Sequence, residues 1–399
     1  MPRKLVTVRR VASLTPIPGA DRIETAAIDG WNCVVAVGQF KPGDLGLYFE
    51  IDSLLPGSDE RWAFLAPKTA GSGDGPDPEQ PPPDIRIRTV RIRKAVSQGL
   101  LVALSRFPEV TDVMDRLRRE LGSQEAMEDE VVARGMSFDD ALGVRKFEKT
   151  AAEDAAEASA ERAWGLGDPA AAFPDFVPKT EQERVQNLPG VFGSHWRDAV
   201  FQESAKMDGS SATVYYMRRD SPHYGLLPAL PPGCVASQHA GGRVGVCSRN
   251  RELGEQNRES PLFWATVRAA GIPDALARCG RNVALQGELC GSSIQANFEG
   301  FRPGEHAFFL FAVWDIDTQR YLPPREVHET WAPMLGVRHV AVEGYRPLRE
   351  IASSVAELVA RADGKGIHGR KREGIVLKHV DGNFSFKAIS NSYLLKHGE

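Results

Sequence analysis

Short apolar runs separated by glycine and proline fill residues 1–105. Residues 5–8, 31–37 and 46–51 are rich in β-branched and aromatic side chains, and turns containing Pro-Gly or Asp-Gly separate them. These features favour short strands over helices. Several short strands in so small a region predict a small β-barrel.

One stretch of this region, residues 85–94, interleaves apolar and basic residues. As a strand it would place Arg86 and Arg88 on one face, because successive side chains point to opposite faces. Thr89-Val90 shifts the phase, so Arg91 and Arg93 join that face only if a bulge intervenes. Such a row of arginines predicts contacts with nucleic-acid phosphates, and it is equally compatible with a solvated face of the barrel.

The pattern changes after the predicted barrel. Residues 111–165 are rich in Ala, Glu and Arg, which predicts helices at 112–121 and 151–164 in a solvated linker or appendage. From about residue 173 onward, strands and helices alternate, which predicts an α+β fold. The predicted strands are 199–202, 212–216, 283–288, 307–313, 374–378 and 384–387, and the predicted helices are 258–270, 324–333 and 351–362.

Composition narrows the class of protein. The chain has 399 residues, enough for two domains, and no apolar stretch long enough to span a membrane. The five cysteines are scattered and form no Cys-x-x-Cys pair, so the sequence supports neither a zinc ribbon nor a disulfide framework. Together with the lack of a signal-peptide pattern, this predicts a cytoplasmic location. The net charge of −4 is too small to argue for or against a nucleic-acid partner.

The run Lys206-Met207-Asp208-Gly209 carries the first candidate chemistry. A lysine amine can attack a phosphorus atom only when it is neutral, so it needs a site that lowers its pKa. Gly209 lets the backbone pass close to a ligand, and Asp208 can hold a ribose hydroxyl or a metal-bound water. Asp-Gly is also common in ordinary turns, so these four residues alone do not distinguish a catalytic motif from a turn.

Polar and aromatic residues follow Lys206 in an order that fits one active site. Each has an ordinary structural explanation alone, such as a solvated loop, a strand-end charge or a core aromatic. Their occurrence together, in this order, favours a shared site. They are Arg249 after a Gly-Gly turn, Glu288 between two glycines, Phe311 in an aromatic strand, Glu373 beside a glycine, and Lys387 on a late strand.

These residues resemble the ordered motifs of the covalent nucleotidyltransferases, in which the lysine of Lys-x-Asp-Gly carries AMP or GMP. The resemblance implies that Lys206 is the nucleophile and that Lys387 and Glu373 share in catalysis. It implies that nucleotide binding uses Lys206, Asp208, Gly209, Arg249, Glu288, Phe311, Glu373, Lys378 and Lys387, with Phe309 as the second choice for the stacking aromatic. It also implies that Asp208, Glu288 and Glu373 hold Mg²⁺ or Mn²⁺ through water.

One departure from the pattern concerns the last motif. Ligases of this superfamily often have a Lys-x-Lys pair there, whereas Ser385 and Ile389 occupy the two positions that could pair with Lys387. Lys378 is the candidate to compensate in holding the triphosphate of ATP.

The order of the domains resembles that of the Deinococcus-type RNA ligases. Those enzymes carry an oligonucleotide-binding (OB-fold) module in front of the ligase domain, and here the predicted barrel also comes first. The segments 173–187 and 386–394 resemble the corresponding parts of that family. Residues 18–24 and 97–101 resemble signatures of tRNA-binding barrels. The expected division is an OB-fold domain at 1–110, an acidic helical linker at 111–172, and an adenylyltransferase domain with antiparallel sheets and flanking helices at 173–399.

The resemblance implies an ATP-dependent RNA ligase of the covalent lysyl-AMP type. Its expected substrate is a nicked duplex with an RNA 3′-OH strand, with no membrane partner, and Arg86, Arg88, Arg91 and Arg93 are the candidates for contacts with that duplex. Two alternatives stay open. One is an RNA guanylyltransferase, although only a short segment follows Lys387. The other is a non-catalytic RNA-binding protein on a ligase fold.

Overall fold

Antiparallel strands form the N-terminal part of the chain. The computed structural model describes residues 3–65, 82–147, 171–227, 238–239, 241–255 and 261–397. A curled five-stranded sheet runs in the order β3-β2-β1-β4-β9. Its strands are β1 (Val6–Pro16), β2 (Ile23–Ile28), β3 (Trp31–Ala36), β4 (Leu45–Phe49) and β9 (Leu100–Ala103); the others here are β5 (Ser53–Leu55), β6 (Ile85–Arg86), β7 (Thr89–Ile92), β8 (Ala95–Gln98) and β10 (Arg145–Lys146).

The arginine-rich stretch is not one strand, so that prediction is wrong. Arg86 ends β6, which pairs with β5, whereas Arg91 lies on β7, which forms a separate hairpin with β8. The break falls at Ile87, whose buried side chain and hydrogen bonds to Asp52 and Ser53 hold the chain against β5. A bulge therefore does not align the four arginines, because the chain changes partner strand between them.

Two helices complete the N-terminal core. They are α1 (Pro108–Leu121) and α2 (Gln124–Arg134), and α1 contains the helix predicted at 112–121. Apolar side chains of both helices, such as Met114 and Val131, share one buried cluster with Phe49 of the sheet. The helix predicted at 151–164 lies outside the described residues. The three-part division of the chain stays a prediction.

Two mostly antiparallel sheets, each with one parallel strand pairing, form the C-terminal unit, which covers the described residues within 152–393. Sheet I has the order β12-β24-β23-β13-β22, and sheet II has the order β11-β17-β16-β14-β18-β19-β20, with β15 and β21 alongside. Their strands are β11 (Ala171–Ala172), β12 (Glu183–Arg184), β13 (Val200–Lys206), β14 (Ser210–Arg218), β15 (Gln238–His239), β16 (Gly242–Cys247), β17 (Arg251–Leu253), β18 (Val283–Gly291), β19 (His306–Asp315), β20 (Arg320–Tyr321), β21 (Arg338–His339), β22 (Val342–Pro347), β23 (Gly374–His379) and β24 (Ser385–Ile389).

Each sheet is covered by helices on one face. The helices are α3 (Ser194–Arg197), α4 (Pro261–Ala269), α5 (Ile272–Cys279), α6 (324–335, π-helical at Val327–Trp331), α7 (Leu348–Ile351) and α8 (Val355–Ala362). A last helix, α9 (Asn391–His397), follows β24. Helices α7 and α8 pack Leu348 and Leu358 against Phe201 of sheet I. Helices α4, α5 and α6 cover sheet II, with residues such as Trp264 and Trp331 buried. No helix in the described ranges is both long and apolar enough to cross a membrane.

Candidate active site

Strand register places three lysines on one face of sheet I. Lys206 ends β13 opposite Gly374, and Ser204 lies opposite Val376. Val376 in turn lies opposite Lys387 of β24. Directly opposed residues in antiparallel strands share a face, so Lys206 and Lys387 project to the same side. Lys378, opposite Gln202, belongs to that side as well. The other face carries the apolar residues that pack under α7 and α8.

Lys206 forms an ion pair with Glu373. The Nζ atom lies 2.7 Å from the Glu373 carboxylate, and the two side chains are 25% and 8% exposed. Glu373 directly precedes Gly374, the residue paired with Lys206, so the register itself brings the two side chains together. A lysine held by a nearly buried carboxylate, yet still partly open to solvent, is accessible to a substrate.

The turn after Lys206 is packed against strand β18. A Cβ atom on Gly209 would lie 2.5 Å from the backbone oxygen of Leu289 and 2.9 Å from Glu288 Cγ. Both distances are shorter than real contacts, so this position requires glycine. The close approach sets Asp208 and Lys206 beside Glu288.

Glu288 lies on β18 and faces this turn. Burial raises the pKa of its carboxyl to about 8, and the negative charges of Glu373 and Asp208 act in the same direction. Lys206 and Arg249 oppose that rise. Arg249 itself is exposed, in the turn between β16 and β17. The predicted residues Lys206, Asp208, Arg249, Glu288 and Glu373 therefore interact as one electrostatic group.

Sequence reasoning missed Glu299, a second buried carboxyl at this site. Its side chain is 2% exposed, and its Oε1 accepts a hydrogen bond of 3.1 Å from the Asp208 backbone N–H. Burial raises its pKa to about 7, and the charges of Asp208 and Glu373 contribute. We call Asp208, Glu288, Glu299 and Glu373 the acidic cluster. Glu299 lies in a loop between β18 and β19, and the only sequence signal was its position shortly after Glu288.

The acidic cluster has the character expected of a site for a hydrated cation. Among the described residues, no three His, Cys, Asp or Glu side chains are arranged to ligate a metal ion directly. However, Glu299 and Glu373 are buried beside Asp208 and Glu288, and burial together with the neighbouring carboxylates raises the pKa values of Glu288 and Glu299. A divalent cation held through its water molecules would relieve that repulsion. The carboxylates present therefore fit such a cation.

The predicted aromatic and its neighbour lie on β19. Phe309 is 7% exposed and belongs to a buried cluster with Met207 and Cys290. Phe311 is only partly buried, so it is the more accessible of the two rings. Lys378 Nζ donates a hydrogen bond to the Phe311 carbonyl and lies 4.9 Å from the centre of its ring. Burial lowers the pKa of Lys378 to about 7. These contacts link Lys378 to the strand of Phe311, and its role on the triphosphate stays a prediction.

A further cationic side chain lies beside Lys387. Strand β12 runs parallel to β24, with Arg184 directly paired with Lys387. Arg184 is buried, at 6% exposure. It was not among the predicted site residues, although the segment 173–187 resembled part of the ligase domain. Arg184 and Lys387 together place two positive charges at the edge of sheet I.

The four arginines of the N-terminal unit divide into two environments. Arg86 pairs with Asp52 at 2.6 Å, and its guanidinium lies 3.9 Å from the ring centre of Phe147. Arg88, Arg91 and Arg93 are exposed, and Arg93 occupies the tip of the β7–β8 hairpin with φ +57°. Arg86 thus has a structural ion pair, whereas the other three are accessible to a nucleic acid.

Titration of Glu299 should make stability depend on pH. The folded pKa of about 7 exceeds the ordinary value of 4.5, so the folded protein binds a proton that the unfolded chain has released. The free energy of unfolding therefore falls as pH rises through that window. Glu299→Gln should remove this loss. The free energy of unfolding of the variant minus that of wild type should therefore increase by on the order of 2 kcal/mol when the pH is raised from about 5 to about 8. Urea denaturation at both pH values measures the difference.

The exposed carboxylate of Glu350 provides the matched control. Glu350→Gln should change stability equally little at both pH values. If Glu299→Gln shows the same stability difference from wild type at both pH values, Glu299 does not titrate in this range.

Comparisons with known proteins agree with this geometry. The family model described as RNA ligase matches residues 199–389, and a model described as an OB-fold domain matches residues 5–104. A solved variant of Naegleria gruberi RNA ligase with ATP and Mn is 34% identical, with a TM-score of 0.75 and coverage of 100% of both chains. A search of curated proteins found no match.

Other solved forms of the same relative match similarly. An apo variant is 33% identical, with a TM-score of 0.75, over 99% of this chain and 98% of that one. A variant with AMP and Mn is 34% identical, with a TM-score of 0.73, over 99% of each chain. The matches confirm the predicted α+β fold with its OB-fold and ligase parts, and the predicted enzyme class. The chain belongs to the RNA ligase family.

Proposed function

We propose that this enzyme seals nicks in duplex nucleic acid by joining an RNA 3′-OH end to a 5′-phosphate end at the expense of ATP. The observation that carries the proposal is the Lys206–Glu373 ion pair of 2.7 Å within the acidic cluster. Solved relatives with ATP or AMP and Mn support ATP as the nucleotide and Mn²⁺ or Mg²⁺ as the metal. We further propose that the enzyme is of the Deinococcus type and acts in RNA repair.

The first step is transfer of AMP to Lys206. The neutral amine attacks the α-phosphorus of ATP, the N–P bond forms as the bond to the bridging oxygen breaks, pyrophosphate leaves, and the proton lost by Nζ passes to the Glu373 carboxylate. Glu373 accepts the hydrogen bond that orients Nζ before attack. Lys387 and Arg184 lie at the edge of the same sheet and supply positive charge for the phosphates. Phe311, the more accessible aromatic, is the candidate to stack on adenine.

The second and third steps use the nucleic acid. The 5′-phosphate of the nick attacks the lysyl-AMP phosphorus, which releases Lys206 and leaves an adenylylated strand. The 3′-hydroxyl then attacks the 5′-phosphorus and gives up its proton to solvent, the phosphodiester forms, and AMP leaves. Each step is an in-line displacement at phosphorus, so positioning and charge neutralisation account for most of the catalysis.

Asp208, Glu288 and Glu373 would hold a hydrated Mg²⁺ or Mn²⁺ beside Lys206. The cation would supply charge neutralisation for the α-phosphate and favour the neutral form of the neighbouring amine. Glu299 positions this set through its hydrogen bond to the Asp208 backbone.

The cytoplasmic location predicted from the cysteines stays a prediction.

Nick sealing tests the proposed function. The substrate is a nicked duplex with a labelled 5′-phosphate, presented with either an RNA or a DNA 3′-OH strand. We expect ATP- and metal-dependent formation of the sealed strand, with the RNA 3′-OH end preferred. Sealing of the DNA end at an equal rate would contradict RNA specificity. An adenylylated enzyme that never seals a nick would contradict the proposed substrate.

The exposed arginines of the β7–β8 region should contribute to binding of the duplex. Arg88→Ala/Arg91→Ala should weaken binding and reduce the slope of log K against log salt by about 1.5, because each phosphate contact contributes roughly 0.7–0.9. Fluorescence anisotropy with a nicked duplex, over a range of salt concentrations, measures both quantities.

The control removes two exposed arginines from α1, in Arg116→Ala/Arg119→Ala, and should leave the slope unchanged. Equal slopes for the two double variants would assign the β7–β8 arginines to a solvated face. Arg86→Ala is expected to lower stability instead, since it removes the closer of the two arginines that pair with Asp52.

A further inference from the structure

A short hairpin leads into Glu373. The backbone N–H of Gly366 donates to the Arg370 carbonyl at 2.7 Å, and that of Arg372 donates to the Gly364 carbonyl at 3.0 Å. Between these bonds Lys365 and Lys371 form an antiparallel bridge. We call residues 364–372 the basic hairpin. The pattern of bonds makes Lys365 and Lys371 a non-hydrogen-bonded pair, in which side chains lie closest together.

One face of the basic hairpin is anchored to the ligase domain. Arg372 is buried and donates to the backbone oxygens of Arg361 and Ala362, at 2.7 and 3.2 Å. Arg370 donates to the backbone carbonyl oxygen of Asn297 and packs so closely on Gly300 that a Cβ there would lie 2.4 Å from the Arg370 Nε. These contacts fix the backbone of the hairpin without using either lysine.

The other face presents the two lysines to solvent. Successive residues of a strand point to opposite faces and directly opposed residues share a face, so Lys365 and Lys371 project together, away from the side of Arg370 and Arg372. Both are exposed, and Lys371 is 68% exposed with Asp363 at 3.8 Å. Like charges directly opposite each other are unfavourable. The anchored backbone thus holds two exposed lysines opposite each other, where a bound anion would be stabilised by both.

The position of the two lysines indicates which anion they bind. Lys371 precedes Glu373 by two residues, which corresponds to at most about 7 Å of chain. The pair therefore lies at the rim of the site where Lys206 would carry AMP. We propose that Lys365 and Lys371 bind the phosphate backbone of the strand whose 5′-phosphate receives AMP. This inference rests on the function proposed above.

Direct binding tests the inference in the full-length protein. The probe is a fluorescent nicked RNA duplex with a 5′-phosphate, measured by anisotropy across salt concentrations. Lys365→Ala/Lys371→Ala should weaken binding by about tenfold near 0.1 M salt and reduce the log–log salt slope by about 1.5. Lys365→Arg/Lys371→Arg keeps both charges and should retain the wild-type slope.

Controls separate binding from folding and from the proposed activity. Arg278→Ala/Arg320→Ala removes two exposed charges elsewhere in the same unit and should bind like wild type. The alanine variant should melt close to wild type, because both lysines are exposed and neither anchors the hairpin. An unchanged affinity and slope in the alanine variant would overturn the inference. Adenylylation of the wild-type protein is measured separately, so its failure would count against the proposed function and not against the hairpin.

Discussion

Lys206→Ala is expected to abolish the covalent AMP adduct. Lys206 is the residue whose amine lies on the open face of sheet I, 2.7 Å from Glu373 and beside the acidic cluster. Alanine removes the only atom of that side chain that can attack phosphorus, so no slower route through the same residue remains. Incubation with labelled ATP and Mn²⁺, followed by denaturing electrophoresis, measures the adduct.

Two further variants make this result specific. Lys206→Arg keeps a positive charge beside Glu373, but a guanidinium is not deprotonated in proteins, so it should also form no adduct. Lys41→Ala removes an exposed lysine of the N-terminal unit and should label normally. Persistent labelling of Lys206→Ala would show that another residue is the nucleophile.

Glu373→Gln should slow formation of the adduct by about 10²-fold or more. The substitution keeps the size of the side chain and removes the negative charge that orients Lys206 Nζ and adjoins the predicted cation site. Loss of one such group typically costs a factor of about 10² to 10³. A single-turnover time course of labelling at saturating ATP measures the rate.

The dependence of the labelling rate on Mn²⁺ concentration separates the two proposed roles of Glu373, which are to orient Lys206 Nζ and to hold the cation. If the carboxylate contributes to the cation site, the variant should need more Mn²⁺ for half-maximal rate. Glu350→Gln, on an exposed carboxylate of α7, should behave like wild type. A Glu373→Gln rate within about twofold of wild type would rule out a catalytic role, since the expected effect is far larger.

Much of the site follows from local sequence because its residues lie beside glycines or strand ends. Lys206 ends β13 and Glu373 directly precedes β23, whereas Glu288 lies within β18 next to Gly287. The apolar strands themselves are recognisable from composition. The observed strands contain the predicted ones almost throughout the ligase domain. Once β13, β23 and β24 pair, the alternation of side chains places Lys206 and Lys387 on one face.

Three features that the sequence did not predict are Glu299, Arg184 and the break at Ile87. Each depends on contacts between distant parts of the chain, which local sequence patterns do not encode. Glu299 lies in a loop, and only the tertiary hydrogen bond to the Asp208 N–H brings it to the site. Arg184 reaches Lys387 through a parallel pairing between strands that are distant in the chain. The break at Ile87 likewise depends on a partner strand, β5, which alternation within residues 85–94 cannot reveal.

Mapping the modified residue tests the central claim most directly. The wild-type protein is incubated with ATP or GTP and Mn²⁺, digested under conditions that preserve the phosphoramidate, and sequenced by tandem mass spectrometry. We predict one AMP on the peptide that contains Lys206, formed from ATP and not from GTP. A GMP adduct, an adduct on another residue, or no adduct in folded protein would contradict the assignment of Lys206 as the adenylylated nucleophile.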